Sequence, residues 1–93
     1  MIFTVEIRDF ALDDLGELPR NIQARIIRSI ESRLATEPSR YGVRLRRSLT
    51  GLWKIRVGDY RIVYELEGQV VTVWAIRHRK NVYPEVERRK GLK

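Results

Sequence analysis

The chain has 93 residues, of which 43% are hydrophobic and 33% charged, and it contains no cysteine. This length predicts one domain over residues 1–93 and excludes a two-domain enzyme, and the missing cysteines exclude a disulfide framework and a thiolate metal site. Nineteen Lys and Arg against twelve Asp and Glu give a formal charge of +7, so we expect an anionic partner. The apolar runs are short and charges interrupt the first twelve residues. We therefore expect no membrane association, no signal peptide and a cytoplasmic location.

The first half of the chain predicts a strand followed by two helices. Apolar and polar residues alternate over residues 3–7, as in a half-buried strand. A helix is predicted over residues 9–18, with Asp9 as its N-cap and Pro19 at its end. Apolar residues at helical spacing predict a second helix over residues 21–36. We expect these two helices to form a hairpin that packs on a sheet.

The second half predicts an antiparallel β-meander and a terminal helix. The period of two returns after Gly42, and three segments rich in β-branched and aromatic residues follow at 53–57, 60–66 and 70–77. Pro84 suits the first turn of a C-terminal helix whose last turn is basic. The predicted fold class is therefore α+β, with an N-terminal strand, a helical hairpin, an antiparallel meander and a short C-terminal helix.

The first hairpin of the meander predicts a basic face. A two-residue turn at Gly58-Asp59 places Arg56 opposite Arg61, and opposed residues point to the same side of the sheet. The face expected to cover the helices carries six residues: Trp53, Ile55, Val57, Tyr60, Ile62 and Tyr64. The other face carries Lys54 together with the two arginines. Because like charges opposed across a ladder repel, this cluster predicts binding of an anion.

An alternative interpretation of this cluster is a solvated sheet face. Glu65 lies on the same face and would partly compensate Lys54 by a diagonal ion pair. Arg44 and Arg46 would extend the basic face if their strand joins the same sheet.

Trp74 is a candidate for stacking on RNA bases. If Glu67-Gly68 is also a two-residue turn, Trp74 stands opposite Arg61, and an aromatic ring among cations suits single-stranded nucleic acid. A shift of one residue would instead bury the indole in the core.

The segment 77–83, RHRKNVY, concentrates basic side chains and ends in a tyrosine. It is interpreted either as part of an anion site that includes His78, Arg79 and Lys80, or as a polar strand end with Tyr83 packed under the terminal helix. Positive charge near Tyr83 would favour its phenolate form.

The residue inventory predicts chemistry without a metal or cofactor. One histidine and no cysteine leave too few zinc ligands, and the acidic residues of 9–17 are interpreted as capping and solvating the first helix. Chemistry with Arg, Lys, Tyr and His suits RNA cleavage, because the 2′-hydroxyl of RNA is an internal nucleophile and DNA has none.

Two segments of the second half of the chain resemble a known protein family. Residues 45–65, LRRSLTGLWKIRVGDYRIVYE, and residues 77–83 resemble the RelE toxins of toxin-antitoxin pairs, and the predicted order of elements matches their fold. The run GDYRIVY is typical of the RelE/ParE superfamily, and the ending H-R-x-x-V-Y is typical of RelE.

The resemblance implies an activity and five catalytic residues. It implies a ribosome-dependent endonuclease that cleaves mRNA in the A site without metal, leaves a 2′,3′-cyclic phosphate and so inhibits translation. Lys54 and Arg56 match basic residues that help activate the nucleophile and hold phosphate, and Arg61 matches the arginine that stabilises the transition state. Arg79 matches the proposed general acid and Tyr83 the proposed general base. Because an arginine side chain stays protonated, the role of Arg56 is interpreted as electrostatic and not as proton transfer.

The resemblance leaves two assignments open, the proton donor and the residues that contact RNA outside the catalytic set. His78 precedes Arg79 and is an alternative proton donor. We expect RNA contacts from the remaining candidates: Arg44, Arg46, Trp74, His78 and Lys80.

The resemblance also implies a cognate antitoxin that blocks the site, usually a small acidic protein, which suits a chain of charge +7. DNA binding generally belongs to the antitoxin in such pairs, so none is assigned to this chain. Two alternatives remain: a ParE-like inhibitor of DNA gyrase with the same fold, and an inactive member that only binds antitoxin or RNA.

Overall fold

The computed structural model describes residues 2–91, so the first residue and the last two of the predicted 1–93 domain lie outside the described part. It confirms the predicted α+β class. The elements in chain order are β1 (Thr4–Ile7), α1 (Asp9–Gly16), α2 (Arg20–Ser29), a π-helical turn (Ile30–Leu34), α3 (Pro38–Tyr41), β2 (Val43–Arg44), a 3₁₀ turn (Arg47–Leu49), β3 (Leu52–Val57), β4 (Tyr60–Glu67), β5 (Val70–His78) and α4 (Val82–Arg89). Over residues 2–91, no helix is both long and apolar enough to cross a membrane.

The strands form a five-stranded sheet in the order β1-β5-β4-β3-β2. β1 runs parallel to β5, and the other neighbours are antiparallel. The N-terminal strand thus joins the far edge of the meander. The β3–β4 hairpin has the predicted register: Val57 pairs with Tyr60 across the Gly58-Asp59 turn, and Arg56 pairs with Arg61.

The register predicted for the second hairpin is wrong. Glu67 pairs with Val70, so the two-residue turn is Gly68-Gln69 and not Glu67-Gly68. Gly68 has a φ of +60° and takes the first turn position, as Gly58 does with a φ of +61°. A tight hairpin turn needs a positive φ at that position, and glycine adopts it without strain.

A β-bulge then shifts the pairing between β4 and β5 by one more residue. Tyr64 pairs with Val73 and Val63 with Ala75, which leaves Trp74 as the extra residue. Arg61 consequently stands opposite Arg77, and the predicted pairing of Arg61 with Trp74 is wrong.

The helices differ in detail from their predicted ranges. Asp9 is the first residue of α1 and Arg8 occupies the N-cap position, so the predicted capping role of Asp9 is wrong. The second helix changes after Ser29 into a π-helical turn, in which Ala35 N donates to Ile30 O at 2.9 Å. Such turns insert one extra residue and are frequent at functional sites.

Both faces of the sheet are covered. On one face, the predicted apolar residues pack with α1 and α2 in a core that includes Ile26, Leu34, Ile55, Ile62 and Tyr64. On the other face, α4 buries Val82 and Val86 against a second core formed by Leu49, Leu52, Val63 and Ala75. The sequence had assigned no face to the C-terminal helix, and this second core places it beside the basic residues.

A buried ion pair attaches α4 to the rest of the fold. Arg89 donates to Asp14 through Nη1 to Oδ2 at 2.7 Å and through Nη2 to Oδ1 at 2.9 Å, and both side chains are nearly inaccessible. Asp14 Oδ2 also accepts from Ile76 N at 3.1 Å. β1 pairs with β5 only as far as Val73. Beyond that point the Asp14 carboxylate accepts the hydrogen bond that a neighbouring strand would otherwise accept from β5. The expectation that Asp14 is solvated is therefore wrong, because its oxygens have fixed donors in the interior.

Gly42 lies where a side chain cannot fit. Tyr64 is fully buried and its Oη donates to Pro38 O at 2.6 Å. Burial raises the pKa of Tyr64 above its usual value, so the hydroxyl remains a donor. A Cβ on Gly42 would lie 1.9 Å from this Oη.

We expect Gly42→Ala to lower the free energy of unfolding by about 1–3 kcal/mol, because the added methyl overpacks the site and displaces the Tyr64 hydroxyl. Urea unfolding monitored by circular dichroism measures this loss. Gly16→Ala is the matched control, since a Cβ there has no atom within 4 Å and alanine is the better helix former. Equal stabilities of the two variants would contradict the prediction.

Candidate functional site

A row of arginines crosses three strands on the face that carries α4. Arg56 on β3 stands opposite Arg61 on β4, and Arg61 stands opposite Arg77 on β5. Arg77 was not among the predicted site residues, because the wrong register put Trp74 in its place. The glycine at the first position of both hairpin turns would have corrected the turn, but the β-bulge that brings Arg77 opposite Arg61 has no such local signal.

Lys54 and Tyr83 lie together beside this row. Lys54 Nζ is 5.6 Å from the centroid of the Tyr83 ring. Lys54 is held on β3, and Tyr83 is in the first turn of α4, whose buried residues dock it on the sheet. The structure therefore brings together two residues that the sequence separates by almost thirty positions.

The positive charge of this cluster is not neutralised by nearby acids. Within the part of the chain that the structure describes, Lys54, Arg56 and Arg61 have no carboxylate within 4 Å. Arg61 Nη1 instead donates to Gly58 O and Tyr60 O, both at 3.0 Å, which orients the guanidinium without cancelling its charge.

The acids near this face are already paired elsewhere. Glu65 lies 3.6 Å from Lys90 Nζ and accepts from Trp74 Nε1, so the diagonal ion pair with Lys54 that the alternative interpretation contained does not form. Arg77 differs from the other cations, because its Nη1 lies 3.7 Å from Asp14 and 3.9 Å from Glu85. The uncompensated charge is thus concentrated on Lys54, Arg56 and Arg61.

Arg79 and Lys80 lie at one end of this sheet. They are exposed in the turn that follows β5, and Arg79 N donates to Asp59 O at 2.9 Å. This bond holds the turn beside the β3–β4 hairpin, where Arg56 and Arg61 also lie.

His78 is on the opposite face of the sheet. It pairs with Tyr60, whose ring it meets edge-on at 5.7 Å, and its Nδ1 accepts from Lys80 N at 3.1 Å. The structure therefore does not bring the His78 ring to the cluster that contains Lys54.

The aromatic ring of Trp74 has neighbours on the protein itself. Arg8 lies 4.7 Å and Lys90 4.4 Å from its centroid, and the Phe10 ring is 5.6 Å away. These side chains would compete with a base for the faces of the ring.

Arg44 does not extend the basic face as expected. β2 does join the sheet, but Arg44 pairs with Trp53 and its guanidinium lies 5.0 Å from that ring, so Arg44 is on the face opposite Lys54. Arg46 is exposed beyond the end of β2. The expectation fails for Arg44 because side chains alternate along a strand, and the register puts Val43 opposite Lys54.

Glu85 on α4 has three arginine neighbours, two on the same helix and one on β5. The hydrogen bond from Arg88, with a further one from Arg89, lowers the pKa of Glu85 to about 2 against an opposing effect of burial. Arg77 is the third neighbour, at 3.9 Å. Across residues 2–91, no three His, Asp or Glu side chains group in a way that would hold a metal ion.

The low pKa of Glu85 predicts acid-sensitive stability. The unfolded chain takes up this proton at a higher pH than the folded chain, so the stabilisation is complete above about pH 5 and is lost as the pH falls toward 2. We expect Glu85→Gln to be less stable than the unmodified chain near neutral pH and to show a weaker loss of stability over this range. Denaturation midpoints measured from pH 2 to 5 test this. The control is Glu6→Gln, which changes an exposed carboxylate on β1. Parallel curves for Glu85→Gln and the unmodified chain would contradict it.

Comparison with known proteins agrees with this fold. Residues 5–83 match the family described as the ParE toxin of the type II toxin-antitoxin system parDE. The chain is 36% identical to Toxin RelG from Mycobacterium tuberculosis over 85 residues, which cover 89% of this chain and 98% of that protein.

Solved structures are similar as well. The toxin-antitoxin complex RelBE2 from Mycobacterium tuberculosis contains a chain with a TM-score of 0.80 and 33% identity, covering 85% of this chain and 100% of that one. A free mutant of the Escherichia coli toxin RelE has a TM-score of 0.76 at 21% identity, covers 96% of this chain and 98% of its own, and shows the shared fold.

The fold and these relatives define a toxin of a type II toxin-antitoxin system. The chain belongs to the RelE family within the RelE/ParE superfamily.

Proposed function

We propose that this toxin is a metal-independent endoribonuclease that cleaves mRNA in the ribosomal A site. The observation that carries the proposal is the cluster of Lys54, Arg56 and Arg61, which lacks acidic partners in the described chain and has Tyr83 beside Lys54. An internal 2′-hydroxyl is the nucleophile, so the protein must supply only alignment, proton transfer and stabilisation of charge.

Each residue of the cluster has a separate role in the proposed reaction. Tyr83, acting as the phenolate, accepts the proton of the 2′-hydroxyl and becomes neutral, and the Lys54 ammonium beside its ring stabilises the negative charge that develops on the 2′-oxygen. The 2′-oxygen attacks phosphorus, the bond to the 5′-oxygen breaks, and a 2′,3′-cyclic phosphate remains. Arg56 and Arg61 hold the phosphate oxygens as their charge increases.

We assign to Arg79, and not to His78, the role of assisting the departure of the 5′-oxygen. Its turn is fixed to Asp59 beside the β3–β4 hairpin, whereas the His78 ring is on the other face. Because a guanidinium gives up its proton reluctantly, Arg79 assists mainly through a charged hydrogen bond while solvent completes the transfer. Exposed Lys80 and Arg46 are proposed as contacts to the RNA backbone.

A cognate antitoxin is the second proposed partner. Several of the similar structures are toxin-antitoxin complexes, among them RelE-RelB from Pyrococcus horikoshii and RelB-RelE from Methanococcus jannaschii. An acidic antitoxin complements a toxin of charge +7, and direct DNA binding is not proposed for this chain. Action on ribosomes places the toxin in the cytoplasm.

Inhibition of DNA gyrase is the alternative function. It is favoured by the description of the matching family model, which names ParE. Inhibition by binding alone would not need Lys54 and Tyr83 to lie together, whereas RNA cleavage does.

Primer-extension mapping on programmed ribosomes tests the proposal. The purified toxin, with EDTA present in a parallel reaction, should cut a defined mRNA in the A-site codon and leave a 2′,3′-cyclic phosphate. Tyr83→Phe should remove cleavage, because the ring still packs but cannot accept the proton. Folded toxin that arrests growth without cutting mRNA would favour the gyrase alternative, and a folded chain that does neither would favour an inactive binding protein.

A further inference from the structure

A second basic surface lies outside the cluster. A groove of about 640 Å³ runs between α2, the π-helical turn and the β3–β4 hairpin. Four arginines line it, together with a single acid: Arg25, Arg28, Arg33 and Arg56, with Glu31. Its charge is therefore strongly positive.

The fold holds these arginines in place. β2 and the residue that follows it bond to β3 from Leu52 to Lys54, which leaves the edge of residues 55–57 without a neighbouring strand. Arg33, in the π-helical turn, reaches this edge and donates from Nη1 to Arg56 O at 3.4 Å. Arg25 lies against Gly58, where a Cβ would be 3.3 Å from Arg25 Nη2. The groove is thus bounded by side chains that contact the hairpin.

Acidic residues do not neutralise the groove. α2 carries three arginines and no Asp or Glu. Among residues 2–91, none of the four lining arginines has a carboxylate within 4 Å. Such a concentration of one sign of charge attracts and retains anions.

We propose that this groove binds the phosphate backbone of RNA at a second site, separate from the cleavage cluster. Arg56 connects the two surfaces, because it lines the groove and stands opposite Arg61. Guanidinium groups bind phosphate through paired hydrogen bonds, so four of them along a groove suit successive phosphates of one strand. The choice of RNA as the ligand rests on the proposed function.

The lining favours a nucleic acid over an acidic protein segment. Protein interfaces depend on apolar or aromatic anchors at their centre. Val57 is the apolar side chain that the groove offers, and it is only 6% exposed. Backbone phosphates need no such anchor.

Binding of a fully 2′-O-methylated, labelled RNA oligonucleotide to the full chain tests this inference by fluorescence anisotropy from 50 to 200 mM KCl. For Arg25→Gln/Arg28→Gln we expect weaker binding. The salt-dependent loss of affinity over this range should also be about sevenfold smaller, since each lost phosphate contact lowers the slope by about 0.7. Arg20→Gln is the control, because it removes a cation from the same helix but outside the groove. Arg28→Gln alone should show about half of the change in slope.

The outcomes separate this inference from the proposed function. The methylated RNA cannot be cleaved, so a changed slope supports the groove even if the toxin fails to cut mRNA on ribosomes. Equal slopes for the groove variants and Arg20→Gln would overturn the inference, whatever the result of the cleavage assay. It would also be overturned if polyglutamate of equal charge displaced the RNA as well as unlabelled RNA does, since the groove would then suit an acidic protein.

Discussion

Arg61→Ala is expected to reduce the rate of mRNA cleavage on programmed ribosomes by about 10²–10³-fold, the usual effect of removing one preorganised donor to a developing charge. The physical reason is the position of Arg61, which is oriented by two backbone carbonyls and lacks an acidic partner in the described chain. Single-turnover cleavage of a defined mRNA measures the effect.

Two further variants make this result interpretable. Arg61→Lys keeps the charge but loses the planar fork, so it should retain part of the rate. Arg40→Ala removes an exposed arginine of α3 that pairs with Glu37, the residue before that helix. This variant should leave the cleavage rate unchanged. A rate for Arg61→Ala equal to that of Arg40→Ala would show that Arg61 does not stabilise the transition state.

Asp14→Ala is expected to lower the free energy of unfolding by about 2–3 kcal/mol, because buried donors lose their acceptor. It removes the carboxylate that both Nη atoms of the buried Arg89 guanidinium contact, leaves Glu85 as the remaining acidic partner at Nε, and deprives Ile76 N of its acceptor. Because Arg89 fixes α4, the loss should also loosen the helix that carries Tyr83. Chemical unfolding measures the stability, and hydrogen exchange of the α4 amides measures the local effect.

The exposed pair Glu37–Arg40 is the matched control. Its side chains are 50% and 72% exposed, so Glu37→Ala should cost less than about 1 kcal/mol. Replacing both buried partners, as in Asp14→Ala/Arg89→Met, should recover part of the loss, because no unpaired charge stays buried. An Asp14→Ala variant as stable as Glu37→Ala would refute the clamping role of this pair.

Local patterns predicted most of the elements. Alternation identified β1, the content of β-branched and aromatic residues identified β3, β4 and β5, and helical spacing identified α2. The register of the first hairpin followed from Gly58-Asp59 alone, since a two-residue turn determines which residues are opposed. The placement of Lys54, Arg56 and Arg61 on one face could therefore be predicted from a few neighbouring residues.

Features that depend on distant contacts could not be predicted in this way. The bulge at Trp74 coincides with the packing of its ring among Arg8, Phe10 and Lys90, which come from opposite ends of the chain. The wrong position of the second turn and this bulge together concealed Arg77 as the neighbour of Arg61.

The sequence by itself determined the order of elements, the basic face of the first hairpin and the resemblance to RelE toxins, because each depends on short-range spacing. The tertiary structure alone decided that α4 covers that face, that Tyr83 meets Lys54 and that His78 points away. It also decided that Asp14 and Arg89 are buried partners and that α2 and the open edge of β3 enclose a basic groove. These features arise where apolar burial docks one element on another, and no local pattern specifies the contacts that result.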